Sequence, residues 1–225
     1  MNETRSSWKE AIRRIVPPVA RDERDVILRL GNTAGRLYAQ LRLLDWLGFR
    51  RGNATTAPPA SRNLAFVCSG NMIRSPMAEA LFLDAIRSKG LVGIQAISAG
   101  LHAIPGNPAH PWALTASEEM GVSLRSHRAR PLTSEIVERA DAIFTMDFQN
   151  KAEMLAIFPQ AKHKILILSS YAEGEAYCRE IVDPYFGDLD TTRRCFKVIN
   201  TCVSKLVCAL AAHDQRRSVE SSICS

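Results

Sequence analysis

The stretch that decides the fold reads Phe66-Val67-Cys68-Ser69-Gly70-Asn71-Met72-Ile73-Arg74-Ser75-Pro76-Met77-Ala78-Glu79. A short apolar run, 63–67, precedes Cys68, and Pro76 stands where a helix would begin, a position that proline favours. This order predicts a strand, a phosphate-binding loop and a helix. The backbone N–H groups of such a loop point inward at an anion, and the helix N-terminus adds partial positive charge.

The same stretch carries the groups needed for phosphoryl transfer. The positive field of the loop favours a thiolate at Cys68. Arg74, six residues on, can return to the same centre and bind two phosphate oxygens. A single cysteine at a strand end usually serves packing, but Cys-x5-Arg-Ser between an apolar strand and a proline-started helix is far more specific. We therefore predict a nucleophile, an anion cradle and a clamp, with Ser69, Gly70, Asn71, Met72, Ile73 and Ser75 around the phosphate.

The rest of the chain alternates strands with helices. We predict strands at about 63–67, 94–98, 142–146 and 164–168, and a last helix from Thr191, capped by Asp190, to Ala212. Such alternation predicts an α/β fold, a doubly wound four-stranded parallel sheet with helices on both faces. Ligands of these sheets bind outside the carboxyl ends of the strands, and Cys68 lies at such an end.

A thiolate that attacks a phosphate monoester needs an acid to protonate the leaving oxygen. The candidate is Asp183, in the loop segment Asp183-Pro184-Tyr185-Phe186-Gly187. Asp-Pro is also a common turn, but beside the Cys68 loop we interpret Asp183 as the acid. Tyr185 and Phe186 would supply an apolar wall for an aryl ring.

Charge divides the chain into regions. The net charge is +6, and residues 1–62 hold twelve Lys and Arg against six Asp and Glu, whereas the remainder holds seventeen of each. We predict a basic helical N-terminal extension and linker over 1–62, a catalytic domain over 63–212 and a polar C-terminal tail over 213–225. Because the positive excess lies outside the predicted site, we do not expect a nucleic-acid partner.

The extension contains a candidate helix from Asp22 to Leu47, with apolar residues at spacings of three and four. Gly31 and Gly35 weaken it. A shorter helix over 1–18 and a linker over 52–62 flank it. Three roles stay open for residues 22–51: packing on the catalytic domain, self-association or binding of a partner helix, and contact with an anionic membrane surface.

The compartment follows from signals and cysteines. No apolar run reaches the length of about 18 residues that a membrane span needs, and charged residues interrupt the N-terminus where a signal peptide would be apolar. The six cysteines show no zinc spacing. We expect reduced thiols, a cytoplasmic protein and no metal or cofactor.

At its two signatures the sequence resembles the low-molecular-weight protein tyrosine phosphatases, most closely their bacterial branch. The resemblance covers about 63–212 and includes Ser98-Ala99-Gly100, Gly106-Asn107-Pro108, 126–130 and 140–147. It implies catalysis by Cys68, Arg74 and Asp183 through a cysteinyl-phosphate. It also implies that Asn71, Ser75, Ser98 and His127 support the loop, with Tyr185 beside the substrate.

The resemblance further implies phosphotyrosine proteins as partners, among them a bacterial tyrosine kinase of an exopolysaccharide system. One departure is Ile73, where family members commonly carry a second cysteine that protects the nucleophile from over-oxidation, so we expect no such protection here. Two alternatives remain. One is a thiol-dependent arsenate reductase that would use Cys178, and the other is a non-catalytic phosphotyrosine-binding module.

Overall fold

The computed structural model describes residues 18–48, 60–171 and 179–223. Within them, four parallel strands form one sheet in the order β2-β1-β3-β4. The strands are β1 (Asn63–Cys68), β2 (Gln95–Gly100), β3 (Ala142–Thr145) and β4 (Ile165–Ile167). The predicted α/β class and the parallel sheet are confirmed. The predicted helix over 1–18 and the linker lie almost entirely outside the described residues.

The helices alternate with the strands as predicted. They are α1 (Pro18–Trp46), α2 (Arg74–Ser88), α3 (Pro111–Glu119), α4 (Ser134–Arg139), α5 (Phe148–Ile157) and α6 (Leu189–Ile223), and two 3-10 turns span Pro159–Lys164 and Leu168–Tyr171.

The last helix differs from the prediction by two residues at its start and by about eleven at its end. The helix begins at Leu189 and continues to Ile223. Its first turn is capped by Asp188, whose Oδ1 accepts from the Thr191 N–H at 2.7 Å. Asp190 instead lies inside the first turn, where it pairs with Arg193 at 2.7 Å. The cap therefore sits two residues before the predicted one.

The two faces of the sheet carry two cores because successive side chains of a strand point to opposite faces. Leu64 and Phe66 of β1 belong to the core under α2, α3 and α6. Ala65 and Val67 belong to the core under α4 and α5. By length and composition Leu189–Asp214 could cross a membrane, but here α6 is the principal helix of the first core.

The N-terminal helix α1 completes the second core. Tyr38 and Leu41 are buried against the group that contains Phe148 and Leu155 of α5. Of the three roles left open, packing on the domain is therefore present in the structure. The helix is interrupted at Gly31, where φ is 74° and ψ is −170°, a left-handed conformation that glycine adopts without steric cost. Its outer face exposes Leu28, Leu43 and Trp46.

Candidate active site

Cys68 lies at the carboxyl end of the central strand β1 and is almost completely buried. Its Sγ is 3.0 Å from the Ser75 hydroxyl and accepts from the Asn71 N–H at 3.3 Å. Residues 69–73 form the loop between β1 and α2, and α2 begins at Arg74. The strand, loop and helix predicted from the sequence are confirmed, although the helix starts two residues earlier than expected.

Asn71 holds the loop in shape from its centre. Its φ of 53° is the only positive value at a non-glycine residue in the described chain, and asparagine is among the residues that tolerate it. The Asn71 side chain donates to Ser75 Oγ at 3.0 Å and accepts from the Arg130 N–H at 2.9 Å. His127 Nε2 lies 2.7 Å from the Asn71 carbonyl oxygen. Asn71, Ser75 and His127 therefore meet at the loop.

Ser98 does not join this network. Its hydroxyl and its N–H both donate to Glu79 Oε2 of α2, at 2.5 Å and 3.0 Å. Ser98 pairs with Phe66 in the sheet register, two residues before the strand ends, so its side chain points at α2 rather than at the loop. The expectation that Ser98 contacts the loop is corrected on this point.

Gly100, at the end of β2, fits against the loop backbone. A Cβ at this position would lie 2.6 Å from the Ser69 carbonyl oxygen and 2.9 Å from the Asn71 nitrogen. Only a residue without a side chain allows this approach. The sequence segment Ser98-Ala99-Gly100 contains this glycine, but nothing in the sequence indicates that it packs against the loop.

Arg74 connects the loop to two other parts of the chain. Its guanidinium, 2% exposed, donates to Asp147 at 2.6 Å and to the Ile181 carbonyl at 2.9 Å, and it also pairs with Asp183. Burial by itself lowers the pKa of Arg74, but the neighbouring carboxylates and the Cys68 sulfur raise it above its ordinary value. Arg74 is thus a fixed positive charge at the centre of the site.

Sequence reasoning missed Asp147. It lies two residues after the end of β3 and caps α5, with Oδ1 accepting from the Asn150 N–H at 2.6 Å. Its Oδ2 accepts a hydrogen bond from the Arg74 guanidinium. The available signal was its position at the carboxyl end of a buried strand, next to the end that carries Cys68.

Asp183 lies in the segment between residue 179 and the start of α6. Its side chain is 42% exposed, contacts Arg74 and accepts from the Tyr185 N–H at 3.2 Å. Tyr185 is half-exposed, and its ring packs edge-on against the fully exposed Phe186, with ring centroids 5.0 Å apart. His110 lies against Tyr185, and burial lowers its pKa. Asp183 and the aromatic wall therefore meet at Arg74.

Arg74, the two aspartates that pair with it and the aromatic side chains of Tyr185 and Phe186 line one cleft of about 1220 Å³. Its floor is formed by Ser69, Gly70, Met72 and Arg74, whereas Ile73 is buried in the first core. The N-terminal helix forms part of the wall, with Arg29, Asn32 and Thr33 at the break near Gly31. In the described part of the chain, no cluster of three or more metal-ligating side chains exists.

Comparisons with known proteins agree with this geometry. The sequence model of the family "Low molecular weight phosphotyrosine protein phosphatase" matches residues 63–216. The chain belongs to this family, and it is a phosphatase.

Its relatives differ in their named substrates. The chain is 37% identical over 128 residues to a protein-arginine-phosphatase of Bacillus subtilis, covering 57% of this chain and 83% of the relative. It is 34% identical over 123 residues to the low molecular weight protein-tyrosine-phosphatase Etp of Escherichia coli, covering 55% and 77%.

Solved structures show the same fold. A YwlE mutant from Bacillus subtilis superposes with a TM-score of 0.60 at 33% identity, covering 67% of this chain and 99% of that structure. The tyrosine phosphatase AmsI of Erwinia amylovora gives 0.60 at 29% identity, covering 67% and 93%.

Proposed function

We propose that this phosphatase hydrolyses phosphotyrosine, and aryl phosphate monoesters in general, through a cysteinyl-phosphate on Cys68. The observation that carries the proposal is the arrangement around Arg74. One buried guanidinium closes the loop that begins at Cys68, and it also contacts Asp183 from a segment more than a hundred residues away. A nucleophile, a clamp and an acid therefore share one centre.

In the first step, the Cys68 thiolate attacks phosphorus in line as the bond to the tyrosine oxygen breaks. Asp183 gives its proton to that oxygen, so that a neutral phenol leaves. The N–H groups of residues 69–74 and the Arg74 guanidinium stabilise the equatorial oxygens, and most of the catalysis is electrostatic. Arg74 exchanges its contact with Asp183 for the phosphate, which frees the carboxyl group for this role.

In the second step, water attacks the phosphorus of the cysteinyl-phosphate. Asp183, now ionised, takes a proton from this water, and the sulfur–phosphorus bond breaks. Inorganic phosphate leaves, and the thiolate is restored.

An aryl ester fits the cleft better than a short alkyl ester. Tyr185 and Phe186 stand at its entrance, and Met72 lies on its floor, so a phenyl ring can lie against apolar surface while its phosphate reaches the loop. We therefore propose cytoplasmic phosphotyrosine proteins as substrates, such as a bacterial tyrosine kinase of an exopolysaccharide system. In this proposal residues 63–212 form the catalytic domain and residues 1–62 its extension.

Phosphoarginine is the second candidate substrate. A protein-arginine-phosphatase is among the similar relatives, and the cleft holds three carboxylates, Asp147, Glu153 and Asp183, which could attract a guanidinium. Arsenate reduction has less support, because the loop contains no second cysteine; Cys178, the residue that it would use, lies outside the described residues. A non-catalytic binding role would require the loss of the nucleophile or of the acid, and both Cys68 and Asp183 are present.

The test is hydrolysis of matched phosphotyrosine and phosphoarginine peptides, with a chelator present. We expect the wild type to prefer phosphotyrosine, Cys68→Ser to be inactive, and Asp183→Ala to lose about 10²-fold or more in kcat/KM. Cys208→Ser, at an exposed cysteine of α6, is the matched control and should retain activity. Activity of Cys68→Ser would overturn the mechanism, and a preference for the phosphoarginine peptide would overturn the substrate.

A further inference from the structure

The N-terminal helix α1 is joined by charged groups to the segment that carries Asp183. Arg42, near the C-terminal end of α1, pairs with Glu180 Oε2 at 3.1 Å and also with Glu23, which lies on the other side of the break at Gly31. Its guanidinium lies over the ring of Phe148, 5.6 Å from the centroid. Arg42 therefore bridges α1, α5 and the segment that begins at residue 179.

Glu180 is the recipient of two contacts that fix its position. Its Oε2 receives Arg42, and its Oε1 accepts from the Phe148 N–H, at the start of α5, at 2.9 Å. Burial raises the pKa of Glu180, and the Asp147 carboxylate acts in the same direction. The positive charge of Arg42 therefore favours the ionised form of Glu180, because a partly buried carboxylate loses solvation that a paired cation can offset.

A second ion pair repeats the connection one residue earlier. Arg179 donates to Asp45 of α1 at 3.0 Å, and the Asp45 side chain is largely buried. The Arg179 carbonyl in turn accepts from the Ser169 hydroxyl at 2.8 Å. Two consecutive residues of this segment are thus held by two residues of α1.

The chain passes from these contacts directly into the active site. The Ile181 N–H donates to the Met146 carbonyl oxygen at 2.9 Å, and the Ile181 carbonyl accepts from Arg74 at 2.9 Å. Asp183 follows two residues later. Glu180 is therefore three residues from the acid along the chain, with the anchored Ile181 between them.

We propose that Arg42 is a positioning residue for the general acid, acting through Glu180 to hold residues 181–183 in register with Cys68. This inference rests on the proposed role of Asp183. It assigns to the N-terminal extension, which lies outside the matched family region 63–216, a part in the reaction that the compact domain would lack.

The test uses the full chain and two aryl phosphates, one with a poor leaving group (phenyl phosphate) and one with a good leaving group (2,4-dinitrophenyl phosphate). An acid matters for the first and little for the second, so the ratio of their kcat/KM values reports protonation and does not depend on the amount of folded enzyme. For Arg42→Met we expect kcat/KM for phenyl phosphate to fall about 10-fold, as for a small misplacement of a catalytic group, with a change below about twofold for the other ester.

Three variants complete the experiment. Arg42→Lys retains the charge and should restore part of the ratio. Glu180→Gln should reproduce Arg42→Met, and it carries the test by itself if Arg42→Met does not fold. Arg36→Met, at an exposed arginine of the same helix, is the matched control and should behave as the wild type.

The outcomes separate this inference from the proposed function. A wild-type ratio in Arg42→Met and Glu180→Gln, or an equal loss for both esters, would overturn the positioning role while leaving the mechanism intact. An unchanged ratio in Asp183→Ala would instead overturn Asp183 as the acid, and the inference with it. In the double variant Asp183→Ala with Arg42→Met we expect no further fall in the ratio, because the acid is already gone.

Discussion

The phosphate loop and the acid segment serve one centre but are built in different ways. The loop stretch 68–75 is held partly by contacts within that run, such as Asn71 to Ser75 and Cys68 to Ser75, and His127 and Arg130 bind Asn71 from outside it. The acid segment 179–183 is held instead by residues far away in sequence, Arg42, Asp45 and Arg74. Part of the loop network is therefore local, whereas the contacts that position the acid segment come from distant parts of the fold and from α1.

This difference has an energetic side. The contacts of Cys68 and Asn71 within the loop are hydrogen bonds between buried groups. The acid segment relies on ion pairs that are partly exposed to solvent, with Arg42 and Glu180 side chains 30% and 24% exposed. Pairs of this kind are individually weak, so the acid segment should be the more easily displaced of the two.

The largest loss of activity is expected from a change that disturbs the phosphate loop. Gly100→Ala would place a Cβ against the Ser69 oxygen and the Asn71 nitrogen. Because these are backbone atoms that cannot move aside, the anion cradle must distort, and we expect a loss of about 10²-fold in kcat/KM for both good and poor leaving groups. Steady-state kinetics, with inhibition by inorganic phosphate as a measure of cradle affinity, checks this.

Gly90→Ala is the matched control for this prediction. Gly90 has a φ of 65° and open space around it, so an alanine there strains the backbone away from the site. It should lower stability by about 1 kcal/mol and leave kcat/KM unchanged. Wild-type phosphate inhibition in Gly100→Ala would contradict the close packing of β2 against the loop.

A smaller effect, on stability rather than on activity, is expected at Lys151 of α5. Burial lowers the pKa of Lys151 to about 8, with Lys162 nearby acting in the same direction. Between about pH 8 and the ordinary lysine value, the folded protein has lost a proton that the unfolded chain retains, so stability rises with pH. We expect the free energy of unfolding of the wild type to gain about 1–2 kcal/mol relative to Lys151→Met across this range.

Chemical denaturation at several pH values, for the wild type and Lys151→Met, measures this difference. The variant is the control for all other groups that titrate in the same range. A difference in unfolding free energy that stays constant with pH would contradict the low pKa. Activity should be the same in both proteins, since Lys151 does not line the cleft.

The same division decides how much could be predicted from the sequence. Cys68, Asn71 and Arg74 lie in one run with a specific spacing, and the alternating pattern predicted all four strands, so the fold and the loop were accessible. Asp147 and Gly100 required the sheet order, which brings the ends of β1, β2 and β3 together. Ser98 was assigned to the wrong contact because its strand position points it at Glu79.

The role of the N-terminal helix could not be predicted. Its apolar spacing indicated packing as one of three alternatives, but the partners of Arg42 and Asp45 lie 138 and 134 residues further along the chain. No local pattern links residues at such separation. The break at Gly31 was visible only as a weak point of the helix, although it brings Asn32 and Thr33 to the cleft wall.

The most direct test of the account is to capture the covalent intermediate. Asp183→Ala should form it readily from 2,4-dinitrophenyl phosphate, which needs no acid, and should hydrolyse it slowly, because no base activates the water. Mass spectrometry of the acid-quenched variant during turnover should find one phosphoryl group on the peptide that contains Cys68. An unmodified Cys68 under these conditions, or a phosphoryl group on another residue, would contradict the mechanism.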